Sequence, residues 1–310
     1  MTWQNNVYTE FDKVIFGQKA VIEKLLVALI SDGHVLLEGV PGLAKTLMVK
    51  TLASLMDCSF ARIQFTPDLL PSDLIGTTIY HPAKMEFQVK KGPLFHQMIL
   101  ADEINRSPSK VQSALLEAMQ EYQITIGDET FKLERPFFVF ATQNPIEQEG
   151  TYPLPEAQVD RFMMKILLQY PEKNFELQIM DGQEKINSAQ IQKVLNPVEL
   201  EKIKREVISI HVDPKIKDYI YQIIEATRHP KENIKKYITY GVSPRGSIAL
   251  YQAAKAMAYL QGRGYVTPSD VKMMVYDVLR HRLVLSYQAQ AESKNADWVL
   301  EQILAQVIVP

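Results

Sequence analysis

Residues 35–46 read Val-Leu-Leu-Glu-Gly-Val-Pro-Gly-Leu-Ala-Lys-Thr, an apolar run followed by a loop with two glycines, a lysine and a hydroxyl. Between a strand and a helix, such a loop wraps backbone N–H groups around phosphates at the positive end of the helix. The usual pattern Gly-x-x-x-x-Gly-Lys-[Ser/Thr] is matched by Gly39-Val40-Pro41-Gly42-Leu43-Ala44-Lys45-Thr46, except that Ala44 replaces the last glycine. Because alanine disfavours positive φ, we expect a negative φ at Ala44. The segment predicts a phosphate-binding loop, with Lys45 at the β- and γ-phosphates and the Thr46 hydroxyl on Mg²⁺.

Further apolar runs predict the rest of a sheet. The first strand is expected at 35–37, and the others at 60–65, 98–101, 137–141 and 163–168. Helical periodicity fills the gaps between most of these runs. Four of the five runs are almost continuously apolar, which is typical of strands covered by helices on both faces. The sequence therefore predicts an α/β fold with a parallel, doubly wound sheet.

An acidic pair ends the third predicted strand, in the segment Met98-Ile99-Leu100-Ala101-Asp102-Glu103. A P-loop needs a second contact to Mg²⁺, and an aspartate at a strand end supplies it while the ion keeps most of its water. We assign that contact to Asp102 and expect Glu103 to orient and deprotonate the attacking water. The alternative is a solvated pair that caps the next turn.

Two stretches depart from the strand and helix alternation. Residues 79–95 and 122–135 have the pattern of β-hairpins inserted into the sheet framework. After residue 170 no strand is expected, and helical segments dominate from residue 214 onward. We therefore expect a nucleotide-binding core over 1–171, a connecting helix and linker over 172–212, and a small all-helical domain over 213–310.

Composition limits the class of partner and of chemistry. The 310 residues carry a formal net charge of -2, which gives no global basic field for gripping nucleic acid. The single cysteine, Cys58, excludes an internal disulfide, and no Cys/His spacing suits zinc. We interpret Cys58 as a small buried hydrophobe. The N-terminus lacks a signal-like apolar run, and no window is apolar enough to span a membrane, so we expect a cytoplasmic location.

With the phosphate loop and the acidic pair in place, the sequence resembles the AAA+ ATPases, and among them most closely the MoxR family. The resemblance covers nearly the whole chain. Besides the phosphate loop, including its alanine, the matching segments are Ile15-Phe16-Gly17-Gln18, Leu100-Ala101-Asp102-Glu103-Ile104-Asn105-Arg106, Ala141-Thr142-Gln143-Asn144-Pro145, Pro155-Glu156-Ala157-Gln158-Val159-Asp160-Arg161-Phe162 and Val242-Ser243-Pro244-Arg245-Gly246.

The resemblance implies roles for several further residues in the core. The segment Ile15-Phe16-Gly17-Gln18 would line the adenine site, although its residues alone suggest only a turn before a helix. Leu47, directly after the phosphate loop, would belong to the same ATP site. Asn144 would be a polar sensor that helps Glu103 to position water near the γ-phosphate. An asparagine before proline is otherwise an ordinary turn residue.

Two arginines are expected to complete the site. By resemblance Arg161 is an arginine finger that reaches the γ-phosphate of a neighbouring subunit, and the alternative is a surface pair with Asp160. Ser243 and Pro244 predict the N-cap and first residue of a helix. Arg245 therefore lies in the first turn, where the helix dipole disfavours a cation, so its charge is expected to answer an anion. That fits the family's second sensor, with a surface ion pair as the alternative.

The leading functional hypothesis is a homo-oligomeric ring, hexameric by resemblance, that uses ATP and Mg²⁺ to remodel or activate a protein client. The resemblance implies a client or partner with a von Willebrand factor A domain. It also implies that the hairpins face substrate, so that Lys84, Phe87, Lys90 and Lys91 would contact the client, and the alternative is a solvated turn. The alternatives are a chelatase-type motor subunit for metal insertion, a nucleic-acid-stimulated motor, and a switch that binds ATP without turnover.

Overall fold

The computed structural model describes residues 2–82, 85–145 and 151–310. Its strands are β1 (Val35–Glu38), β2 (Phe60–Gln64), β3 (Gly76–His81), β4 (Glu86–Lys91), β5 (Met98–Asp102), β6 (Gln123–Ile126), β7 (Glu129–Lys132), β8 (Phe138–Gln143), β9 (Met164–Leu167), β10 (Ile238–Tyr240) and β11 (Val284–Leu285).

Helices occupy most of the remaining described chain. They are α1 (Trp3–Phe11), α2 (Lys19–Ile30), α3 (Lys45–Leu55), α4 (Pro71–Ile75), α5 (Ser109–Glu121), α6 (Glu156–Val159), α7 (Lys173–Ser188), α8 (Pro197–Ser209), α9 (Pro214–Arg228), α10 (Glu232–Lys235), α11 (Pro244–Leu260), α12 (Pro268–Leu279), α13 (Tyr287–Ala291) and α14 (Ala296–Leu304). None of the helices in the described ranges is long and apolar enough to cross a membrane.

The central sheet confirms the predicted α/β fold. Its five strands lie in the order β2-β5-β8-β1-β9, and β5 pairs in parallel with both β2 and β8. Every residue of β5 is buried, as its unbroken apolar run predicted, whereas β2 at the sheet edge is mostly half-buried or exposed. Because parallel strands end at one edge, the carboxyl ends of β1, β5 and β8 lie side by side there.

Both predicted hairpins form as antiparallel pairs, β3 with β4 and β6 with β7. The first begins at Gly76, earlier than expected, and its base needs two glycines. A Cβ at Gly76 would lie 2.2 Å from the carbonyl oxygen of Lys90, and one at Gly92 would lie 2.2 Å from that of Leu74. The two strands therefore meet at their base more closely than any side chain permits. Lys84, one of the predicted client contacts, lies outside the described residues.

The chain packs as two compact units. The first comprises the described residues of Met1–Leu25, His34–Leu154 and Ile166–Glu201. It contains both hairpins and most of the sheet, and its core includes the fully buried Leu100 and Phe140. Since burial of apolar side chains drives folding, the apolar strand runs account for this core.

The second unit comprises Leu26–Gly33, Pro155–Lys165 and Lys202–Pro310. It is helical as expected, with Leu250 and Val275 fully buried in its core. The short antiparallel pair β10–β11 is an addition and corrects the expectation that no strand follows residue 170. The expected boundaries at 171 and 212 concern independently folding domains and stay a prediction.

Candidate functional site

The predicted phosphate loop lies between the buried strand β1 and helix α3. Gly39 is required by packing, because a Cβ there would lie 2.8 Å from the Cβ of Leu168. Gly42 has a φ of +88°, a left-handed conformation that glycine adopts without strain. The Lys45 Nζ donates a hydrogen bond to the Gly39 carbonyl at 2.7 Å. The lysine side chain thus curls back over the loop that it follows.

The backbone at Ala44 corrects one expectation. Its φ is +56° and its ψ is 23°, so the alanine is left-handed rather than negative in φ. Ala44 is the N-cap of α3, and the loop needs this turn to bring Lys45 into the first helical position. A left-handed L-residue costs about 1–2 kcal/mol, which the surrounding loop must offset. Alanine is small enough for the loop, but it must still adopt a left-handed conformation that L-residues disfavour.

A cleft of about 430 Å³ opens above the loop at the carboxyl edge of the sheet. It brings together most of the sequence-predicted residues of the core. The lining residues are Pro41, Gly42, Ala44, Lys45, Thr46, Leu47, Arg62, Gln64, Asp102, Glu103 and Asn144. The cleft lies where open α/β sheets bind ligands, outside the carboxyl ends of the strands.

Asp102 is held from both neighbouring strands. Arg62 on β2 donates to its Oδ2 from Nε at 3.0 Å and from Nη2 at 2.6 Å. Thr142 on β8 donates to its Oδ1 at 2.6 Å. Asp102 is only 8% exposed, so these donors offset the cost of burying a charge. The carboxylate is therefore fixed at the sheet edge by protein donors alone.

Glu103 follows with a left-handed φ of +57°, which turns its side chain away from the strand direction. Its Oε2 accepts hydrogen bonds from Gln64 Nε2 at 2.8 Å and from Arg106 Nη1 at 3.1 Å. Its backbone N–H donates to the Thr142 hydroxyl at 2.8 Å. Thr142 therefore fixes both acidic residues.

Sequence reasoning missed Arg62, Gln64, Arg106 and Thr142. One signal was available for the first two, because polar residues at 62 and 64 interrupt an otherwise apolar strand with period two. Their contact with the acidic pair depends on β2 lying beside β5, which periodicity does not reveal.

The donor set suits Mg²⁺. This ion typically takes one or two protein oxygens and completes its octahedron with waters and nucleotide phosphates. Thr46 and Asp102 both line the cleft, which matches that requirement. In the described part of the chain no cluster of three or more His, Cys, Asp or Glu side chains forms a metal site, so a cage built from protein alone is not offered there.

Asn144 and the expected adenine segment differ in placement. Asn144 is buried at the end of β8 and lines the cleft. Ile15-Phe16-Gly17-Gln18 does not line it and is packed against residues after the sheet. Gly17 has a φ of +72° and a Cβ there would lie 2.7 Å from the Phe175 ring. Gln18 Nε2 donates to the Gln169 carbonyl at 3.2 Å.

Arg161 and Arg245 lie in the second unit. Arg161 follows α6, and its buried Nε has no hydrogen-bond partner within the described ranges. Ser243 is the N-cap and Pro244 the first residue of α11, as predicted. The Ser243 hydroxyl does not cap the helix and donates to Asp160 Oδ2 at 3.0 Å. Arg245 Nη1 lies 3.9 Å from the same oxygen, so Asp160 is an anion that pairs with the charge of Arg245.

The first hairpin exposes aromatic side chains. Phe87 is 73% exposed, and its ring centroid lies 5.3 Å from that of Tyr80. Lys91 Nζ lies 4.8 Å from the Phe95 ring centroid, a cation–π contact. Lys90 lies on the same strand as Phe87.

Cys58 is half-buried rather than buried, and its Sγ lies 3.4 Å from the Met56 carbonyl oxygen.

Comparisons with known proteins agree with this architecture. A model of the ATPase family associated with various cellular activities (AAA) matches residues 34–164, and a model of the AAA lid domain matches residues 231–303. Chaperone MoxR1 of Mycobacterium tuberculosis is 46% identical over 305 residues, covering 97% of this chain and 81% of that protein. The Bacillus subtilis protein YeaC is also 46% identical, over 96% of this chain and 92% of its own. A crystal structure of a Cytophaga hutchinsonii protein is 52% identical with a TM-score of 0.93, covering 99% of this chain and 96% of that one.

Fold, phosphate loop and family matches together define a P-loop nucleotide-binding protein of the AAA+ ATPase class. Within that class, identity to MoxR1 over nearly the full length shows that the chain belongs to the MoxR family.

Proposed function

We propose that this protein binds ATP with Mg²⁺ in the cleft above the phosphate loop and hydrolyses it to ADP and phosphate. The observation that carries the proposal is the convergence of Lys45, Thr46, Asp102, Glu103 and Asn144 on one cleft. A lysine for phosphate charge, two oxygen donors for Mg²⁺ and a base beside a polar amide are the parts that phosphoryl transfer to water requires.

Each residue has a separate task in this mechanism. Lys45 leaves the Gly39 carbonyl to neutralise the β- and γ-phosphates, and the backbone N–H groups of the loop bind their oxygens. Thr46 and Asp102 would hold Mg²⁺, which would supply positive charge where the transition state gathers negative charge. The cofactor contacts are proposed for the full loop, Gly39 to Thr46, with Leu47 beside it and Ile15 to Gln18 at adenine.

Glu103 is proposed as the base. It takes a proton from the attacking water, whose oxygen bonds to the γ-phosphorus while the bond to the bridging oxygen of ADP breaks. Asn144 orients that water. Since a positioned base contributes about 10²–10⁴-fold, Glu103→Gln is expected to keep ATP bound and reduce turnover by that range. Turnover at the wild-type rate would refute the role of Glu103.

Nucleotide binding is tested separately. Lys45→Ala removes the cation at the phosphates and is expected to abolish binding of a fluorescent ATP analogue. Lys24→Ala, a lysine substitution on α2 outside the cleft lining, is the matched control. Retained affinity in Lys45→Ala would contradict the assignment of the loop.

We propose that the active form is a ring, hexameric as the resemblance implies, in which Arg161 reaches the nucleotide of the next subunit. Support comes from the family and from the buried Arg161 Nε, which has no hydrogen-bond partner in the part of the chain that is described. Arg245 is proposed as the second nucleotide sensor. An arginine finger contributes about 10³–10⁵-fold to turnover.

The test of action between subunits mixes Arg161→Ala chains with Lys45→Ala chains. Each variant alone is expected to be inactive, and the mixture recovers part of the activity because an intact loop meets an intact finger. Absence of recovery in rings shown to be mixed would contradict action in trans.

We propose further that ATP turnover remodels a cytoplasmic protein client, with a von Willebrand factor A domain as the expected partner. The exposed Tyr80–Phe87 pair supports the first hairpin as the client contact, because large exposed apolar patches mark interaction sites. Proteins that bind Glu103→Gln in the presence of ATP, and are released by ADP, identify the client.

Phe87→Ala in the trap background is expected to lose that client, whereas Tyr287→Ala, which removes a 91% exposed aromatic elsewhere, retains it. Equal capture by both would remove the hairpin from the proposal. Stimulation of turnover by DNA, or by a porphyrin-binding protein, would replace the client reading with a nucleic-acid motor or a chelatase subunit.

A further inference from the structure

Asp160 directly precedes Arg161, and both of its carboxylate oxygens are engaged. Oδ1 accepts a hydrogen bond from Arg282 Nε at 2.8 Å. Oδ2 accepts one from the Ser243 hydroxyl at 3.0 Å and has Arg245 Nη1 at 3.9 Å. The residue before one expected ATP-contacting arginine is thus bound to the helix end that carries the other.

Arg282 fixes the backbone on both sides of Arg161. Its Nη2 donates to the carbonyl of Asp160 at 3.1 Å and to that of Phe162 at 2.7 Å. Its Nη1 donates to the carbonyls of Met163 and Val278. The Arg282 guanidinium therefore hydrogen-bonds the backbone on both sides of Arg161 and links it to the end of α12.

Burial makes this arrangement stiff. The Arg282 side chain is only 3% exposed, and its burial lowers the pKa of the guanidinium while Asp160 opposes that shift. A buried charge without its partner is strongly disfavoured, so Asp160 and Arg282 stay together. The stem of Arg282 also packs on α11, because a Cβ on Gly246 would lie 3.2 Å from Arg282 Cδ.

We propose that Asp160 and Arg282 are the positioning residues of Arg161, and that through Ser243 the same ion pair sets Arg245. The inference rests on the proposed ATPase function. It assigns no contact with substrate to Asp160 or Arg282, which act only through the two arginines. Loss of the pair leaves Arg161 in the chain but lets its backbone shift.

The first test is a double-mutant cycle in the full-length, assembled protein. Asp160→Asn keeps the shape and removes the charge, and we expect it to lower kcat by about 10²-fold, the effect of a 1 Å misplacement. The Kd of a fluorescent ATP analogue is expected to rise as well, because Asp160→Asn also removes the anion beside Arg245. In the Arg161→Ala background, Asp160→Asn should have no further effect on kcat, because the positioned group is already gone.

The matched control is a second buried ion pair in the same unit. Arg263 Nη1 donates to Asp270 Oδ2 at 2.7 Å, and Asp270 is 1% exposed. Asp270→Asn is expected to lower the melting temperature as Asp160→Asn does, while kcat stays at the wild-type value. An equal fall in kcat in both variants would show a general structural effect and overturn the proposal.

Two further variants separate the effect on Arg161 from the effect on Arg245. Arg282→Lys keeps the charge but loses the several donors of the guanidinium. Its kcat should therefore lie between the values of wild type and Asp160→Asn. Ser243→Ala leaves the Asp160–Arg282 pair intact and should raise the KM for ATP through Arg245 with little change in kcat. A fall in kcat in Ser243→Ala as large as that in Asp160→Asn would show that the effects on Arg161 and Arg245 are not separate.

Failure of this inference differs from failure of the ATPase function. If wild type does not hydrolyse ATP, the proposed function falls and this inference falls with it. If wild type is active and Arg161→Ala turns over normally, the ATPase function stands, but the role of Arg161 and this inference fall. If wild type is active and Arg161→Ala is not, equal effects of Asp160→Asn with and without Arg161 overturn the positioning role alone.

Discussion

Arg62 places its Nη2 2.6 Å from Oδ2 of Asp102, so that a cation on the edge strand lies on the carboxylate expected to serve Mg²⁺. The Arg62 side chain is 49% exposed and the Asp102 side chain 12% exposed. Arg62 thus supplies part of the positive charge that Mg²⁺ would bring in the proposed ATP complex. Mg²⁺ bound at Asp102 would compete with Arg62 for this oxygen.

Removal of Arg62 is therefore expected to favour Mg²⁺. Arg62→Gln should lower the Mg²⁺ concentration that half-saturates nucleotide-dependent metal binding by roughly fivefold, or about 1 kcal/mol for a half-exposed pair. The measurement is a Mg²⁺ titration of a bound fluorescent ATP analogue, with the exposed Arg205→Gln on α8 as control. An unchanged midpoint would mean that Arg62 only orients Asp102.

Gln64 makes the matching contact with Glu103. Its Nε2 donates to Glu103 Oε2 at 2.8 Å, so Gln64 occupies a carboxylate oxygen that the proposed base needs free for the attacking water. Gln64→Ala is expected to raise basal ATP turnover by about threefold, at unchanged ATP affinity, within the range of one hydrogen bond. Steady-state turnover of Gln64→Ala is compared with Gln222→Ala, a glutamine substitution on α9. Slower turnover in Gln64→Ala would show that Gln64 holds Glu103 in its working position.

The acidic pair could be predicted from the sequence, whereas its hydrogen-bond partners could not. Asp102 and Glu103 were predictable because a strand-end acidic pair follows an apolar run in chain order. Their partners Arg62 and Thr142 lie 40 residues away on either side. Identifying them required the strand order, which periodicity does not encode. Asp160 and Arg282, 122 residues apart, likewise meet only through the tertiary fold.

The central strands were predictable for the opposite reason. A strand buried on both faces must be apolar at every position, so β5 and β8 are visible as runs. The negative φ expected at Ala44 is wrong, because the preference of alanine alone does not determine the backbone there. The loop, not the residue, determines φ there, and one unfavourable residue is tolerated at a site that many other contacts define.

Ala44 itself gives a stability prediction. At a φ of +56°, glycine avoids the left-handed penalty of about 1 kcal/mol, which offsets the greater chain entropy of glycine in the unfolded state. Ala44→Gly is expected to leave the free energy of unfolding unchanged or raise it by up to about 1 kcal/mol. Ala53→Gly, inside α3, should lower it by about 1 kcal/mol or more. Thermal unfolding of both variants checks the contrast, and a clear loss of stability in Ala44→Gly would contradict the left-handed assignment.

His281 gives stability a pH dependence near neutrality. Burial lowers its pKa well below 6.5, and the neighbouring cations Arg282, Lys165 and Arg280 lower it further, against the opposing effect of the Phe162 carbonyl. Its Nε2 lies 2.9 Å from that carbonyl oxygen, which fits a neutral ring donating from Nε2. The folded protein therefore keeps this histidine uncharged at a pH where the unfolded chain protonates it.

The sign follows from proton binding. Below 6.5 the unfolded state binds more protons at His281 than the folded state, so the free energy of unfolding falls as the pH is lowered toward the folded-state pKa. One group contributes at most about 1.4 kcal/mol per pH unit. His281→Gln keeps a donor for the Phe162 carbonyl without titrating, so it should flatten the fall in melting temperature between about pH 7 and 5. His229→Gln, which replaces a 78% exposed histidine, should retain the wild-type profile. A profile for His281→Gln as steep as that of wild type would show that this ring is protonated in the folded protein.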